Sequence, residues 1–160
     1  MAASPELDLS VVVNAPLNRV IRAFFDGDAL HAWWQVVRSV TTPRTLGPYA
    51  VEWAPTDFRD DILGRLGGVF HGTIVQFDPG RGFFVADAYW LAPDGDPIGP
   101  MALEVVFNGV VSPTGSAEGA TAVRVRQTGF EESARWRRYY EVVGVGWERA
   151  LHSLRMLLEK

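Results

Sequence analysis

Three polar residues set among apolar neighbours are best placed to do chemistry: Asp87, Gln127 and Tyr140. Gln127 shares the alternation phase of Val123 and Val125 in a strand-like run, so it points inward with them. Tyr140 falls on the apolar stripe of a C-terminal helix, where a buried phenol needs a hydrogen-bond partner. Asp87 sits between Val85 and Tyr89, in phase with Phe83. On an internal face it would be a carboxylate with a raised pKa, able to act as acid or base. That run is apolar on both faces, with Phe84, Ala86, Ala88 and Trp90 opposite, which leaves its inward face open. The reading adopted puts Asp87 in solvent.

Other chemistries find little support. There is no Gly-x-x-x-x-Gly-Lys phosphate loop, no Gly-x-Ser-x-Gly elbow and no His-Glu-x-x-His pair. Gly144-Val-Gly146 has Arg149 where a dinucleotide fingerprint wants glycine. His31, His71 and His152 lack metal-ligand spacing and are read as solvated or structural. Asp60-Asp61 and Asp94-Gly95-Asp96 lack the rest of a calcium loop and are read as turn and surface residues. With no cysteine, disulfides and thiolate sites are excluded. No metal and no cofactor is expected.

The aromatic residues carry more information. Six tryptophans, nine phenylalanines and four tyrosines make up 12% of the chain; core packing is the ordinary role of any one of them, and a pocket walled by rigid aromatics is the usual form of a small-molecule site. The residues expected to line it are Trp53, Phe70, Trp90, Phe107, Val125, Gln127, Tyr140, Val143, Gly144 and Trp147.

The elements that must position these residues follow from patterning. Glu132 to Lys160 reads as one long helix whose stripe is Trp136, Tyr140, Val143, Trp147, Leu151, Leu154 and Leu158. Gly144 and Gly146 interrupt it at about 1 kcal/mol each relative to alanine. Either a cavity or close packing on a sheet explains their missing side chains. Strands are expected at Leu7 to Val13, Val36 to Thr41, Pro48 to Trp53, Gly68 to Phe77, Phe83 to Trp90, Met101 to Val110 and Ala120 to Thr128. Asn14-Ala15-Pro16 opens a first helix that Gly27 ends, and a second spans Asp28 to Trp34 with Asp26 or Asp28 as cap. A turn of helix is expected from Thr56 or Asp57 through Ile62. The order predicts one α+β domain over residues 1–160, an antiparallel sheet whose open face the C-terminal helix covers.

Composition sets the outer bounds. A chain of 160 residues with 48% hydrophobic and 21% charged residues fits a globular domain. A formal charge of −4 argues against nucleic acid as the main partner. No apolar run approaches the roughly 20 residues of a membrane span, and the N-terminus lacks the basic region of a signal peptide. A cytoplasmic location is the expectation, with the oligomeric state left open.

The chain resembles the START-like (SRPBCC) superfamily, whose helix-grip fold is shared with the birch-pollen allergen. Within it, the chain resembles the family of homologues of the activator of the ninety-kilodalton heat-shock protein ATPase. The resemblance rests on Asn14-Ala-Pro, Leu30-His-Ala-Trp33-Trp34, Gly67-Gly68-Val-Phe70, Gly72-Thr-Ile-Val-Gln-Phe-Asp78-Pro79, Thr128-Gly129-Phe130 and Gly146-Trp147. Gln127 departs from it, standing where relatives commonly carry histidine. The resemblance implies a curved sheet of six to seven strands wrapped on the long helix, with a cavity between them. Its members include lipid and hormone carriers and polyketide cyclases and aromatases. Three functions follow as expectations: binding of a small hydrophobic lipid-, aromatic- or polyketide-like molecule; a cyclase-, aromatase- or hydrolase-like enzyme in the same cavity; and a co-factor of a chaperone ATPase.

Overall fold

A computed structural model describes residues 5–115 and 119–160; residues 1–4, part of the N-terminal sequence inspected for a signal peptide, lie outside it. The elements run β1 (Leu7–Val13), α1 (Leu17–Arg22), α2 (Gly27–Trp34), β2 (Arg38–Thr41), β3 (Pro48–Trp53), β4 (Arg59–Asp60), β5 (Gly64–Arg65), β6 (Gly68–Asp78), β7 (Gly82–Leu91), β8 (Ile98–Val110), β9 (Ala120–Thr128) and α3 (Ala134–Leu158). Seven strands pair antiparallel in the order β1-β9-β8-β7-β6-β3-β2. Alternation decides which face is covered: Val51, Ile74, Val85, Val105, Val123 and Val125 are buried. The opposite face carries ion pairs across strands, Arg124 to Asp8 at 2.6 Å and Arg126 to Glu104 at 3.3 Å. The protein is thus an α+β domain of helix-grip architecture, with its sheet closed by α3.

The period of two breaks in β7. His71 pairs with Tyr89 but Thr73 pairs with Ala86, so Gly72 faces two residues, Asp87 and Ala88. This β-bulge puts Asp87 at a left-handed φ of 53° and turns it to solvent. A side chain at Gly72 would meet Val85 Cγ1 at 2.6 Å and Ala86 O at 2.9 Å, so only glycine fits beneath the bulge. Beyond the bulge the inward phase passes to Ala88 and Trp90, both buried. Asp87 is therefore exposed, as read from the sequence, and Trp90 faces inward.

Local chemistry sets the helix ends. Asp26 caps α2, its Oδ2 accepting the Ala29 N–H at 3.0 Å, so Gly27 starts this helix and α1 ends earlier, at Arg22. Ser133 caps α3 by accepting the Trp136 N–H at 3.0 Å. The buried face of α3 runs Trp136, Tyr139, Trp147, Ala150, Leu151, Leu154 and Leu158. Tyr139, not Tyr140, is the buried tyrosine.

Residues 56–62 are not helical. Asp60 Oδ2 accepts the N–H groups of Ile62 and Leu63 at 3.0 and 2.9 Å, a local turn that competes with a helix, and β4 and β5 pair around it. Asp60 is also not a surface residue, at 4% exposure. Its Oδ1 meets the Arg138 guanidinium of α3 at 2.7 Å, tying the β4–β5 hairpin to the closing helix. Arg138 holds the Asp60 carboxyl below its usual 3.8, against the effect of burial, with the Leu63 and Ile62 N–H groups assisting.

A depressed folded-state pKa contributes stability that is present above the unfolded value near 3.8 and lost as pH falls through the folded one. Asp60→Asn is expected to lower unfolding free energy by about 1–3 kcal/mol at pH 7. In urea titrations from about pH 5 downward, the wild type should lose this increment and the variant should have none to lose.

Candidate functional site

The Cα trace of α3 runs close to β1 and α2. Over β3, β6 and β7 it leaves a cavity of about 420 Å³, within the range of small-molecule sites. The sheet contributes Trp53, Phe70, Trp90 and Gln127, α2 contributes Trp33 and Trp34, and Gln35 follows at its C-terminal cap. The connection after β5 adds Leu66 and Gly67.

α3 lines this space with a stripe that overlaps one edge of its buried face. Tyr139, Val142, Val143, Gly146, Arg149, Ala150 and Ser153 recur every three or four residues. Gly146 lies at the middle of that stripe, and a Cβ there would meet nothing within 4 Å. Gly144 lies off the stripe, where its Cβ would stand 3.3 Å from Leu7 Cδ2 on β1. The two glycines thus divide the two explanations: Gly144 serves close packing, and Gly146 opens onto the cavity.

The tryptophans form a connected wall. Trp34 stacks on Trp33 with centroids 5.0 Å apart, lies 4.7 Å from Trp147 and meets Trp53 edge-on at 5.2 Å. Their N–H groups are mostly consumed internally: Trp33 on Ala23 O at 2.8 Å, Trp53 on Trp34 O at 2.9 Å and Trp90 on Gly67 O at 2.7 Å. What these rings offer the cavity is chiefly their apolar surface.

Gln127 is the polar centre of the site, 1% exposed. Its Oε1 accepts the Trp147 Nε1–H at 3.0 Å. Because an indole N–H can only donate, this contact fixes which end of the amide is oxygen. Nε2 therefore donates to Tyr139 Oη at 3.3 Å and to Met101 Sδ at 3.0 Å. The Tyr139 O–H then has no acceptor among the described residues. Burial pushes the Tyr139 phenol well above its usual range, against the Gln127 bond, so it stays a donor at neutral pH. Arg149 is the one charged residue lining the cavity, and it is exposed, with no ion pair among the described residues.

Of the residues expected from sequence, Trp53, Phe70, Trp90, Gln127, Val143 and Trp147 come together around this space. Four do not. Phe107 is buried beneath α1, 5.2 Å from Phe24. Val125 faces inward but is fully covered. Tyr140 packs 5.1 Å from Phe130 and points its hydroxyl at Glu6 O. Gly144 faces Leu7. Sequence reasoning missed Tyr139, Trp34 and Arg149 as lining residues, and left Gly146 between cavity and close packing. The adjacency of Trp33 and Trp34 was the available signal, since neighbours in a helix diverge by about 100° and one of them must leave the core.

Comparison of the chain with protein-family models and with curated proteins gives no match. Solved structures share its architecture. A structural-genomics protein from Chromobacterium violaceum superposes with a TM-score of 0.65 at 24% identity, covering 98% of this chain and 99% of that one. A protein from Rhodobacter sphaeroides gives 0.68 at 15% identity over 99% and 94%. The Aha1 dimer from Colwellia psychrerythraea gives 0.62 at 15% identity over 97% and 96%. At these identities the likeness establishes the fold.

Gln127→Met should leave the Trp147 N–H without its acceptor at similar side-chain volume, lowering unfolding free energy by about 1–3 kcal/mol. Urea titration measures the loss, and a red shift of tryptophan emission should accompany it.

Proposed function

We propose that the protein binds a small hydrophobic, aromatic molecule between α3 and the sheet, as a carrier or sensor. The observation that carries this reading is Gly146. An unfavourable residue stands in a helix interior where no backbone or side chain requires it, at the centre of the stripe that borders the cavity. A molecule occupying that space supplies the missing contact. The tryptophan wall, with most of its N–H groups consumed elsewhere, suits a flat apolar body.

The enzyme reading has less to draw on. No histidine, aspartate, glutamate or lysine lines the cavity among the described residues, and Ser153 has no base beside it. Tyr139 holds its proton too tightly to serve as a base. Asp87 is outside, on the bulge, and Tyr140 is on the flank. Membership of the START-like superfamily, and of the chaperone-ATPase activator homologues within it, is part of the proposal. It is supported by the motifs quoted from the sequence and by the fold shared with the Colwellia protein. No helix among the described residues is long and apolar enough to cross a membrane. A cytoplasmic setting is proposed from the cysteine-free sequence.

Calorimetric titration with 2-acetylnaphthalene tests the reading. Gly146→Leu is expected to raise the unfolding midpoint through helix propensity while weakening binding at least about tenfold by filling the cavity. Gly144→Ala should leave binding unchanged. Normal binding by Gly146→Leu, or none by the wild type, contradicts the proposal.

A further inference from the structure

Tyr139 is buried and Arg149 exposed on one cavity lining, and this contrast gives the occupant a direction. At the buried end stands Tyr139, 4% exposed, whose oxygen is occupied by the Gln127 N–H and whose own proton has no acceptor among the described residues. A buried donor left unmade is costly, by about 1–3 kcal/mol, so a group that accepts from it binds there with advantage. The Gln127 amide cannot be that group. Its oxygen is turned to the Trp147 N–H, and the end that faces Tyr139 is the nitrogen, a donor that Tyr139 accepts. The same lining holds the Trp34 ring, 5.2 Å from Trp53 and 4.7 Å from Trp147. At the exposed end stands Arg149, the lining's one charge, with no carboxylate paired to it among the described residues.

We propose that the ligand, on the cavity reading above, is an amphipathic aromatic acid: a neutral carbonyl accepts the Tyr139 O–H at the inner end, a planar ring system lies along the tryptophan wall, and an anionic carboxylate meets Arg149 at the mouth. A carbonyl fits the inner end better than a hydroxyl or amine. The free group there is a donor, and a second donor would be left without an acceptor. A carboxylate fits the mouth better than a cation, because the cavity lining carries one positive charge and no negative one.

Three matched compounds test this by calorimetry. 6-Acetyl-2-naphthoate has both polar ends, 6-isopropyl-2-naphthoate replaces the ketone oxygen by a methyl group, and 2-acetylnaphthalene lacks the acid. On the wild-type protein the acetyl acid should bind roughly threefold to tenfold more tightly than the isopropyl acid. It should also bind more tightly than 2-acetylnaphthalene, by a ratio that shrinks as salt rises and the screening length falls from about 30 Å at 0.01 M to about 8 Å at 0.15 M. Tyr139→Phe should abolish the preference for the ketone and keep that for the acid. Arg149→Gln should do the reverse and remove the salt dependence. The wild-type ratios stand even if a variant fails to fold. Equal affinities for all three compounds, each blocked by Gly146→Leu, overturn the directed ligand and leave the cavity reading intact. Binding of none of the three contradicts both.

Discussion

The rotation of α3 about its own axis is fixed by a single buried amide, and most of the site follows from that. Gln127 sits on β9 with 1% of its surface exposed, so its amide atoms must find partners in the protein or in the cavity beside it. It finds two on α3, Tyr139 Oη and Trp147 Nε1, eight residues apart on one face. With both held, Tyr139 turns in and Tyr140 turns out. The stripe through Val142, Gly146 and Ser153 then borders open space rather than the sheet. Replacing the amide by an apolar side chain removes the constraint that makes one helix rotation better than its neighbours, in addition to two hydrogen bonds.

Closing a curved sheet with one straight helix leaves a volume that side chains must fill or a ligand can use. Here α3 lies nearest β1 and α2, and Asp60 with Arg138 holds the β4–β5 hairpin against it from the other side. The tryptophans border the remaining gap without filling it. Internal hydrogen bonds to main-chain oxygens orient Trp33, Trp53 and Trp90, so much of the wall stands preformed and little ordering is left to accompany binding. A preformed apolar wall with one donor inside and one cation outside is suited to recognition. Among the described residues, its lining holds no histidine, aspartate, glutamate or lysine.

The sheet was legible in the sequence because one of its faces is solvated, and alternation therefore marks its strands. β1, β3 and β9 begin and end where the pattern places them. Gln127 was legible as an inward residue for the same reason. Asp87 shows where that logic stops: a bulge shifts the phase by one, and nothing in Phe83 to Trp90 marks it, since both faces of the run are apolar. Tyr139 and Tyr140 are separated by one helical step, and each is spaced acceptably from Trp136 and Val143. Their partners elsewhere in the fold decide between them, Gln127 and Trp90 for Tyr139 and Glu6 for Tyr140. The hairpin at Arg59 to Arg65 was hidden because Asp60 takes its partners from its own turn and from Arg138, far along the chain. Gly146 stood out as an anomaly of propensity, but its meaning depends on what faces it.

The central claim is that the space beside Gly146 is a binding site, and the most direct measurement is a crystal structure with 6-acetyl-2-naphthoate bound. The account predicts the naphthalene ring against Trp34 and Trp147, packed over Gly146, with its ketone oxygen within hydrogen-bond distance of Tyr139 Oη. A structure in which the compound lies elsewhere, or in which the indoles have collapsed to fill the cavity, would contradict it.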